Sequence, residues 1–307
     1  MKKLEKVTPE TARAVFVHHF GKEPKKLQQI HGGVTNFVFE ASIGNEDLIL
    51  RISNRPTKLQ FFMKEQWAVR AVHAKNVPTP EILEVGNDII GMPYMVMRRV
   101  EGEPATARVT DLDIYRQMGM QAKAINSITT SDFGHIFDWS RNRLSRFHTW
   151  KEYITGNFKA AERAEALARH KMLRAGNLKK LKTAVRKLPD LKAQPTLNHG
   201  DLRLKNVMLN GKGKISAIID WEHATSNWAP CWELAISLHD LGIDEKEAFL
   251  DGYGIAPKEF QKMSGTIKVL NILHYGPIVE RAAKDKDRIA LARFEQRLNA
   301  ALDLFSL

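Results

Sequence analysis

"LNHGDLRLKNVMLN", Leu197 to Asn210, is the stretch that decides how this chain is read. Asp201 follows His199 by two residues, and Asn206 follows Asp201 by five. That pattern suits phosphoryl transfer: one carboxylate orients an attacking hydroxyl and takes its proton, and an amide oxygen nearby holds Mg²⁺. The same chemistry asks for a further carboxylate on the next strand, to chelate the metal that bridges the phosphates. Asp220 stands there, closing the apolar run "KISAIID" from Lys214 to Asp220. A carboxylate buried at a strand end without a partner costs about a few kcal/mol, and a metal removes that cost. The plainer reading, an Asx-rich turn before a strand, leaves Asp220 unexplained.

The bulk numbers agree with a folded, cored protein. At 307 residues and 43% hydrophobic content, the chain suits one large or two medium domains. Its one cysteine, Cys231, allows no intrachain disulfide, fits a reducing compartment and reads as a small core residue. The N-terminus begins basic, but Glu5, Glu10 and Arg13 interrupt any apolar leader core. No run approaches about 18 apolar residues, so a soluble cytoplasmic protein is expected, with no membrane partner. The net charge of +12 is local in origin. Ser140 to Lys192 holds 15 Lys and Arg against four acids, a net +11, whereas Trp221 to Ile255 holds seven acids against Lys246 alone, a net −6.

Upstream of the loop, "TPET" predicts a helix over Val7 to Phe20, with Thr8 as cap and Pro9 at the first position. Apolar runs on both sides of Gly32-Gly33 and a third at Leu48 to Ile52 predict a three-stranded antiparallel meander. Thr57 to Lys75 has helical period, and strands are expected in "PEILEVGND" and "IIGMPYMVMRRV". A hinge is placed near Arg98–Gly102. Beyond it, helices are expected at 111–125, 146–158, 160–188, 230–240, 246–252 and 257–307, with only Asn206–Asn210 and Lys214–Ile219 as strands.

"HGDLRLKN" together with "IIDWE" resembles the aminoglycoside phosphotransferase and choline kinase family, and within it the hygromycin B phosphotransferase-like branch. The resemblance covers nearly the whole chain. It implies an α+β, bilobal, protein-kinase-like fold: an N-terminal antiparallel-sheet lobe with one main helix over 1–100, which binds nucleotide, and a mostly helical catalytic and acceptor-binding lobe over 101–307. It implies transfer of the γ-phosphate of ATP or GTP, with Mg²⁺, to a hydroxyl of a small molecule. Asp201 would then be the catalytic base, Asn206 and Asp220 the Mg²⁺ ligands, and His199 a brace for the loop.

On the nucleotide side, "HGGVTNF" resembles the loop over the phosphates. Gly32 and Gly33 would let backbone N–H groups approach, and Thr35 or Asn36 would add a side-chain donor, although a Gly-Gly hairpin alone is a common turn. The strand lysine of protein kinases is Arg51 here, whose fork suits phosphate oxygens. Phe62, Glu65, Val69 and Val72 share one helical face, so Glu65 faces the core and wants a cation, which Arg51 would supply. A boundary glutamate snorkelling to solvent is the alternative. "PYMVMRRVEG" resembles the inter-lobe strand, which puts adenine against the backbone of Arg98 and Val100 with Met97 behind it. Asp132-Phe133-Gly134 spells the protein-kinase metal motif, but it precedes the His-Gly-Asp loop and reads as a turn.

The acceptor is less legible. Glu222, Glu233 and Asp240 are candidate contacts for a polycation, since acidic clefts attract aminoglycosides; a helix cap or solvated face is the plain alternative for each, and loop support for Glu233. The basic segment could meet an anionic acceptor, but in "LKKLKTAVRKL" the apolar residues keep helical spacing and the bases fall on the other, solvated face. The leading expectation is an aminoglycoside-type antibiotic as acceptor, hygromycin B first. The alternative is a metabolic acceptor such as a sugar, an amino alcohol or another natural product. A nucleotide-binding pseudokinase or an RNA-associated module stands further off. No nucleic-acid module signature is present, so no nucleic-acid partner is expected, and a monomer is expected.

Overall fold

The computed structural model describes residues 7–30, 36–105, 110–134 and 146–303, with side chains as far as residue 300. Gly32, Gly33 and Thr35, expected over the phosphates, lie outside the described residues. In chain order the elements are α1 (Pro9–Phe20), β1 (Lys26–Ile30), β2 (Phe37–Ile43), β3 (Glu46–Ile52), α2 (Lys58–His73), β4 (Ile82–Gly86), β5 (Tyr94–Arg98), β6 (Glu103–Pro104) and α3 (Leu112–Asn126). There follow α4 (Trp150–Glu152), α5 (Ala160–Arg169), α6 (Ala175–Lys187), β7 (Pro195–Asn198), β8 (Val207–Leu209), β9 (Ile215–Ile218), β10 (Thr225–Trp228), α7 (Cys231–Ser237), α8 (Ile243–Tyr253), α9 (Pro257–Lys284) and α10 (Arg288–Asp303).

Packing groups them into two units, Met1–Val109 with Leu204–Ala224, and Thr110–Arg203 with Thr225–Leu307. Residues 204–224 therefore group with the N-terminal sheet, whereas the expected lobes met at a single boundary near residue 100. The reason is local. β8 pairs antiparallel with both β6 and β9, the Ala105 amide donates to Val207 O at 2.7 Å, and the Ile218 amide donates to Pro78 O at 2.8 Å.

The first unit is built on an antiparallel sheet of order β1-β2-β3-β5-β4. The expected meander is its first three strands. Alternation sorts its faces. Phe39, Ala41, Leu48, Leu50 and Ile52 pack with Val15 and Phe16 of α1. Ile49, Met95 and Met97 pack on the other side with Phe62 of α2. Arg51 falls between Leu50 and Ile52, so the period of two sends it to the α2 face. Thr8 caps α1 through a reciprocal exchange with Thr11, and Pro9 occupies its first turn, as the sequence led one to expect.

The second unit is mostly helical, with one small sheet of β7 and β10. Neither strand was expected, because "PTLN" and "TSNW" show no apolar alternation. Apart from Leu197 their buried positions are polar: Asn198, Ser226 and Asn227 are fully buried, and Asn227 Nδ2 donates to Tyr153 OH at 3.0 Å. Three expected helices are shorter or broken. The 146–158 segment is helical only from Trp150, continuing as a π-turn over Tyr153–Asn157. The 160–188 stretch breaks between α5 and α6, where Lys171 has φ 54°, and the C-terminal stretch breaks at Lys286 with φ 57°. Asp132-Phe133-Gly134 is the turn it was taken for: Phe133 is buried, and Gly134 exchanges backbone hydrogen bonds with Ser226 at 2.9 Å in each direction. Among the described residues no helix is long and apolar enough to cross a membrane.

α3 and α8 touch backbone to backbone. A Cβ placed on Gly119 would lie 2.0 Å from Phe249 O, and one on Gly252 would lie 1.9 Å from Arg116 O. Arg116 with Asp251 at 2.8 Å and Tyr115 with Glu245 at 3.1 Å then close over this contact. Gly252→Ala must push the helices apart, and overpacking of this kind costs about 1–3 kcal/mol. We expect a fall in thermal midpoint of roughly 5 °C or more by calorimetry; an unchanged midpoint would contradict this close approach.

Candidate active site

In the first unit a buried ion pair joins the sheet to α2. Arg51 Nη1 donates to Glu65 Oε1 at 2.7 Å, and only 3% of the Glu65 side chain is exposed. The expected partnership of strand arginine and helix glutamate is what the geometry displays. The second guanidinium nitrogen, Nη2, lies 3.8 Å from Asp220 Oδ1 and 3.7 Å from Glu222 Oε2, and the guanidinium sits over the Phe62 ring at 5.4 Å. Burial pushes the Glu65 carboxyl up, with Arg51 opposing it. For Arg51 burial acts against the charge, but Glu65, Asp220 and Glu222 outweigh it and hold the guanidinium charged. The Trp221 amide also donates to Glu65 Oε1, at 3.3 Å, while the buried Oε2 has no hydrogen-bond partner among the described residues. One carboxylate thus anchors both Arg51 and the turn after Asp220.

Asp220 itself sits in the left-handed region, φ 65° and ψ 58°. For a residue with a Cβ this costs about 1 kcal/mol. Its side chain is 37% exposed, far more than that of Glu65. The Ile219 amide donates to Asn206 O at 2.9 Å, which brings Asn206 and Asp220 to the same end of the β8–β9 hairpin. A carboxylate and an amide oxygen are hard donors. Among the described residues no group of three or more His, Cys, Asp or Glu is placed to hold a metal. This donor set fits Mg²⁺, which takes one or two carboxylates, keeps waters and shares substrate phosphates.

The other nucleotide-side expectations fall as follows. Met97 is buried in the α2-facing core. The Arg98 amide is committed to Glu81 O at 2.9 Å, and its side chain to Glu46 and Glu81. Val100 makes no hydrogen bond with the described residues, and Asn36 stands half-buried just before β2.

Glu222 was a candidate acceptor contact, but it is occupied here. Lys58 Nζ meets its Oε2 at 2.5 Å, and Lys64 Nζ donates to its backbone carbonyl. Burial alone would raise the Glu222 carboxyl; the hydrogen bond and charge of Lys58, with His223 and Arg51, bring it below the usual range. Lys64 is 1% exposed, and burial pushes its ammonium down to about 8 against the pull of Glu65 and Glu222. Lys58 and Lys64 had no sequence signal. Lysines on a helix read as solvated, and the segment that covers these two lies about 160 residues away.

In the second unit, β7 leads into the His199-Gly200-Asp201 loop. Glu233, in the first turn of α7, is fully buried beneath it and accepts the His199 amide at 2.6 Å; Ser237 Oγ donates to its other oxygen at 3.3 Å. Glu233 is therefore placed as a support of the loop. Burial pushes its carboxyl up to about 7, with the His199 and Gly200 amides opposing. The Asp201 amide donates to His199 Nδ1 at 3.2 Å, so His199 braces the loop from within. Arg203, unweighted in the sequence, holds Asp201 Oδ1 with Nε and Nη2, both at 2.5 Å. Its Nη1 reaches Asp240 Oδ2 at 3.5 Å, and Asp240 Oδ1 meets His239 Nε2 at 3.1 Å and Arg297 Nη2 at 3.0 Å. The His239 hydrogen bond, with Arg297 and Arg203, outweighs burial and holds Asp240 far below the usual carboxylate range.

The sequence of the chain matches the phosphotransferase enzyme family over residues 26–265. The chain belongs to that family. Hygromycin-B 4-O-kinase of Escherichia coli is 21% identical over 201 residues; the match takes in 64% of this chain and 58% of that relative, less than two thirds of its length. A solved structure of a thermostable mutant of aminoglycoside phosphotransferase APH(4)-Ia, in ternary complex with ADP and hygromycin B, superposes with a TM-score of 0.74 at 18% identity, covering 95% of this chain and 98% of that one. Macrolide 2'-phosphotransferase MphH from Brachybacterium faecium gives 0.64 at 16% identity, over 96% and 99% of the two chains. At these identities the structural likeness establishes the protein-kinase-like fold of the family.

Two measurements test the site's energetics. Removing the cation from a buried pair leaves an uncompensated charge worth about 3–5 kcal/mol. Urea denaturation should show Arg51→Met losing that much, and the double variant Arg51→Met/Glu65→Leu recovering more than half; equal losses would mean the pair is not desolvated. The second concerns pH. The folded Glu233 carboxyl binds its proton up to about 7, whereas an unfolded one releases it near 4.5. Between those values the folded state holds more protons, so stability falls as pH rises, by on the order of 3 kcal/mol in full. Glu233→Gln should flatten the thermal-midpoint profile between pH 4.5 and 7, and an unchanged slope would place the titration elsewhere.

Proposed function

We propose that this chain transfers the γ-phosphoryl group of ATP or GTP, presented with Mg²⁺, to a hydroxyl of a small molecule. The observation that carries this reading is the Arg51–Glu65 pair at 2.7 Å, tied through the Trp221 amide to the turn that holds Asp220. It fixes a permanent cation beside an accessible carboxylate before any substrate arrives, which is the preorganisation that phosphoryl transfer rewards. Arg51 would hold phosphate oxygens, with Glu65 as its positioning residue. Asn206 and Asp220 would hold Mg²⁺, which would supply positive charge to offset that of the nucleotide phosphates. Asp201, oriented by Arg203 and by the His199 brace, would align the acceptor hydroxyl and take its proton. Family membership and the ADP complex of APH(4)-Ia support the nucleotide as donor.

For the acceptor, the hygromycin-B kinase relative and the solved complex with hygromycin B support an aminoglycoside-type antibiotic. A metabolic acceptor is the second reading, and one observation favours it. Glu222, Glu233 and Asp240, the acids that would meet a polycation, are each engaged within the protein.

The purified protein, given ATP or GTP and Mg²⁺ against a panel including hygromycin B, kanamycin and neutral and acidic alcohols, should yield a phosphorylated product by mass spectrometry. Asp201→Asn should lower its formation at least about a hundredfold, and Asp220→Asn should raise the Mg²⁺ concentration required. Near-full transfer by Asp201→Asn would remove the base assignment. No phosphorylated aminoglycoside would remove the antibiotic reading.

A further inference from the structure

A pocket of about 720 Å³ opens where α7, α9 and α10 meet in the second unit. Its floor is apolar, with Leu234, Leu238, Ile267 and Phe294. Its charged lining is of one sign: Lys246, Lys268, Arg293 and Arg297, with no Asp or Glu among the lining residues. The side chains of Lys268 and Arg293 form no ion pair with the described residues. Burial pushes Lys268 down, and no carboxylate offsets it. Lining residues His239 and Arg297 both hold Asp240, Asp240 meets Arg203, and Arg203 holds Asp201. The pocket is therefore coupled to the catalytic carboxylate through a continuous chain of ion pairs.

We propose that this pocket seats the acceptor, and that the acceptor is an amphipathic alcohol carrying an anionic group, a carboxylate or a phosphate, on an apolar body. The word acceptor rests on the phosphotransferase reading; the charge preference of the pocket does not. Lys268 and Arg293, which form no ion pair with the described residues, repel a polycation and attract an anion over this apolar floor, whose low dielectric strengthens both effects. The nearby acids do not reverse the field. Asp240 is neutralised by Arg203 and Arg297. Along the acidic stretch, Glu245 accepts from the Gly242 amide and Tyr115, and Asp251 pairs with Arg116. Among the residues that line the pocket, the charge left without an ion pair is that of Lys268 and Arg293. The apolar floor takes the body of such a ligand, as in most small-molecule sites.

Titration calorimetry of the full-length protein with phenyl glucuronide and with neutral phenyl glucoside isolates the charge, because the two share ring and aglycone. We expect the glucuronide to bind at least about tenfold tighter at low salt. In the double variant Lys268→Met/Arg293→Met that preference should be lost with the thermal midpoint unchanged. Equal binding of the two, no binding of either, or a preference that survives in the variant overturns the proposal. Mg²⁺-dependent nucleotide turnover is read in parallel with Asp220→Asn as control. Absence of turnover alongside glucuronide binding would remove the phosphotransferase reading and leave the anion site standing, so the two failures are distinguishable.

Discussion

The first unit depends on one desolvated ion pair. Taking Arg51 and Glu65 out of water costs several kcal/mol per ion, and their attraction offsets that only in good geometry with further hydrogen bonds. The contact at 2.7 Å, the Trp221 amide on the same oxygen and the Phe62 ring under the guanidinium supply that geometry. Two constraints follow. β3 and α2 are held at one relative register, since either charge left alone is intolerable. The turn at Asp220 is held as well, and this is what allows a non-glycine residue to stay at φ 65°. The strain at Asp220 is therefore supported from α2, more than 150 residues earlier in the chain.

The second unit holds its carboxylate by a different device. Asp201, Arg203, Asp240 and Arg297 alternate in sign, so each acid meets a cation and the row is neutral as a whole. Below the loop, Glu233 faces backbone amides and no cation, and its carboxyl sits near 7 as a result. Dipoles compensate a buried carboxylate less completely than a guanidinium does. The loop thus rests on a group that is partly protonated near neutrality, while Asp201 rests on permanent charge.

What could be read from the sequence follows from which interactions are local. Asp201, Asn206 and Asp220 were singled out by spacing, which is local to one loop and hairpin and therefore visible in the sequence. Glu65 was legible from helical period and Arg51 from its likeness to the strand lysine of protein kinases, and the ion pair between them bears out their partnership. Lys58 and Lys64 were not, because burial by a segment far along the chain leaves no trace in neighbouring residues. β7 and β10 were missed for a related reason: Asn198, Ser226 and Asn227 fill most of their buried positions, and apolar alternation has nothing to report there. The break between α5 and α6 was hidden because Lys171 adopts a left-handed conformation without the glycine that usually marks one.

Glu222 and Asp240 show why a charge count along the sequence misleads about a ligand. The stretch from Trp221 to Ile255 is net −6 by formal charge, and in isolation it invites a cation. A field depends on what is left after pairing. Glu222 is occupied by Lys58, Asp240 by Arg203 and Arg297, Asp251 by Arg116, and Glu233 is both buried and partly protonated. Each partner comes from a distant part of the chain, so the cancellation is visible only in three dimensions. Two of the bases lining the pocket beside α7, Lys268 and Arg293, have no ion pair with the described residues, so the lining there is positive where the segment leading into it is acidic. Donor chemistry in this fold is written into local motifs. Where charge is left unpaired is set by long-range contacts, and chains that share the motifs are therefore free to differ in the field they present.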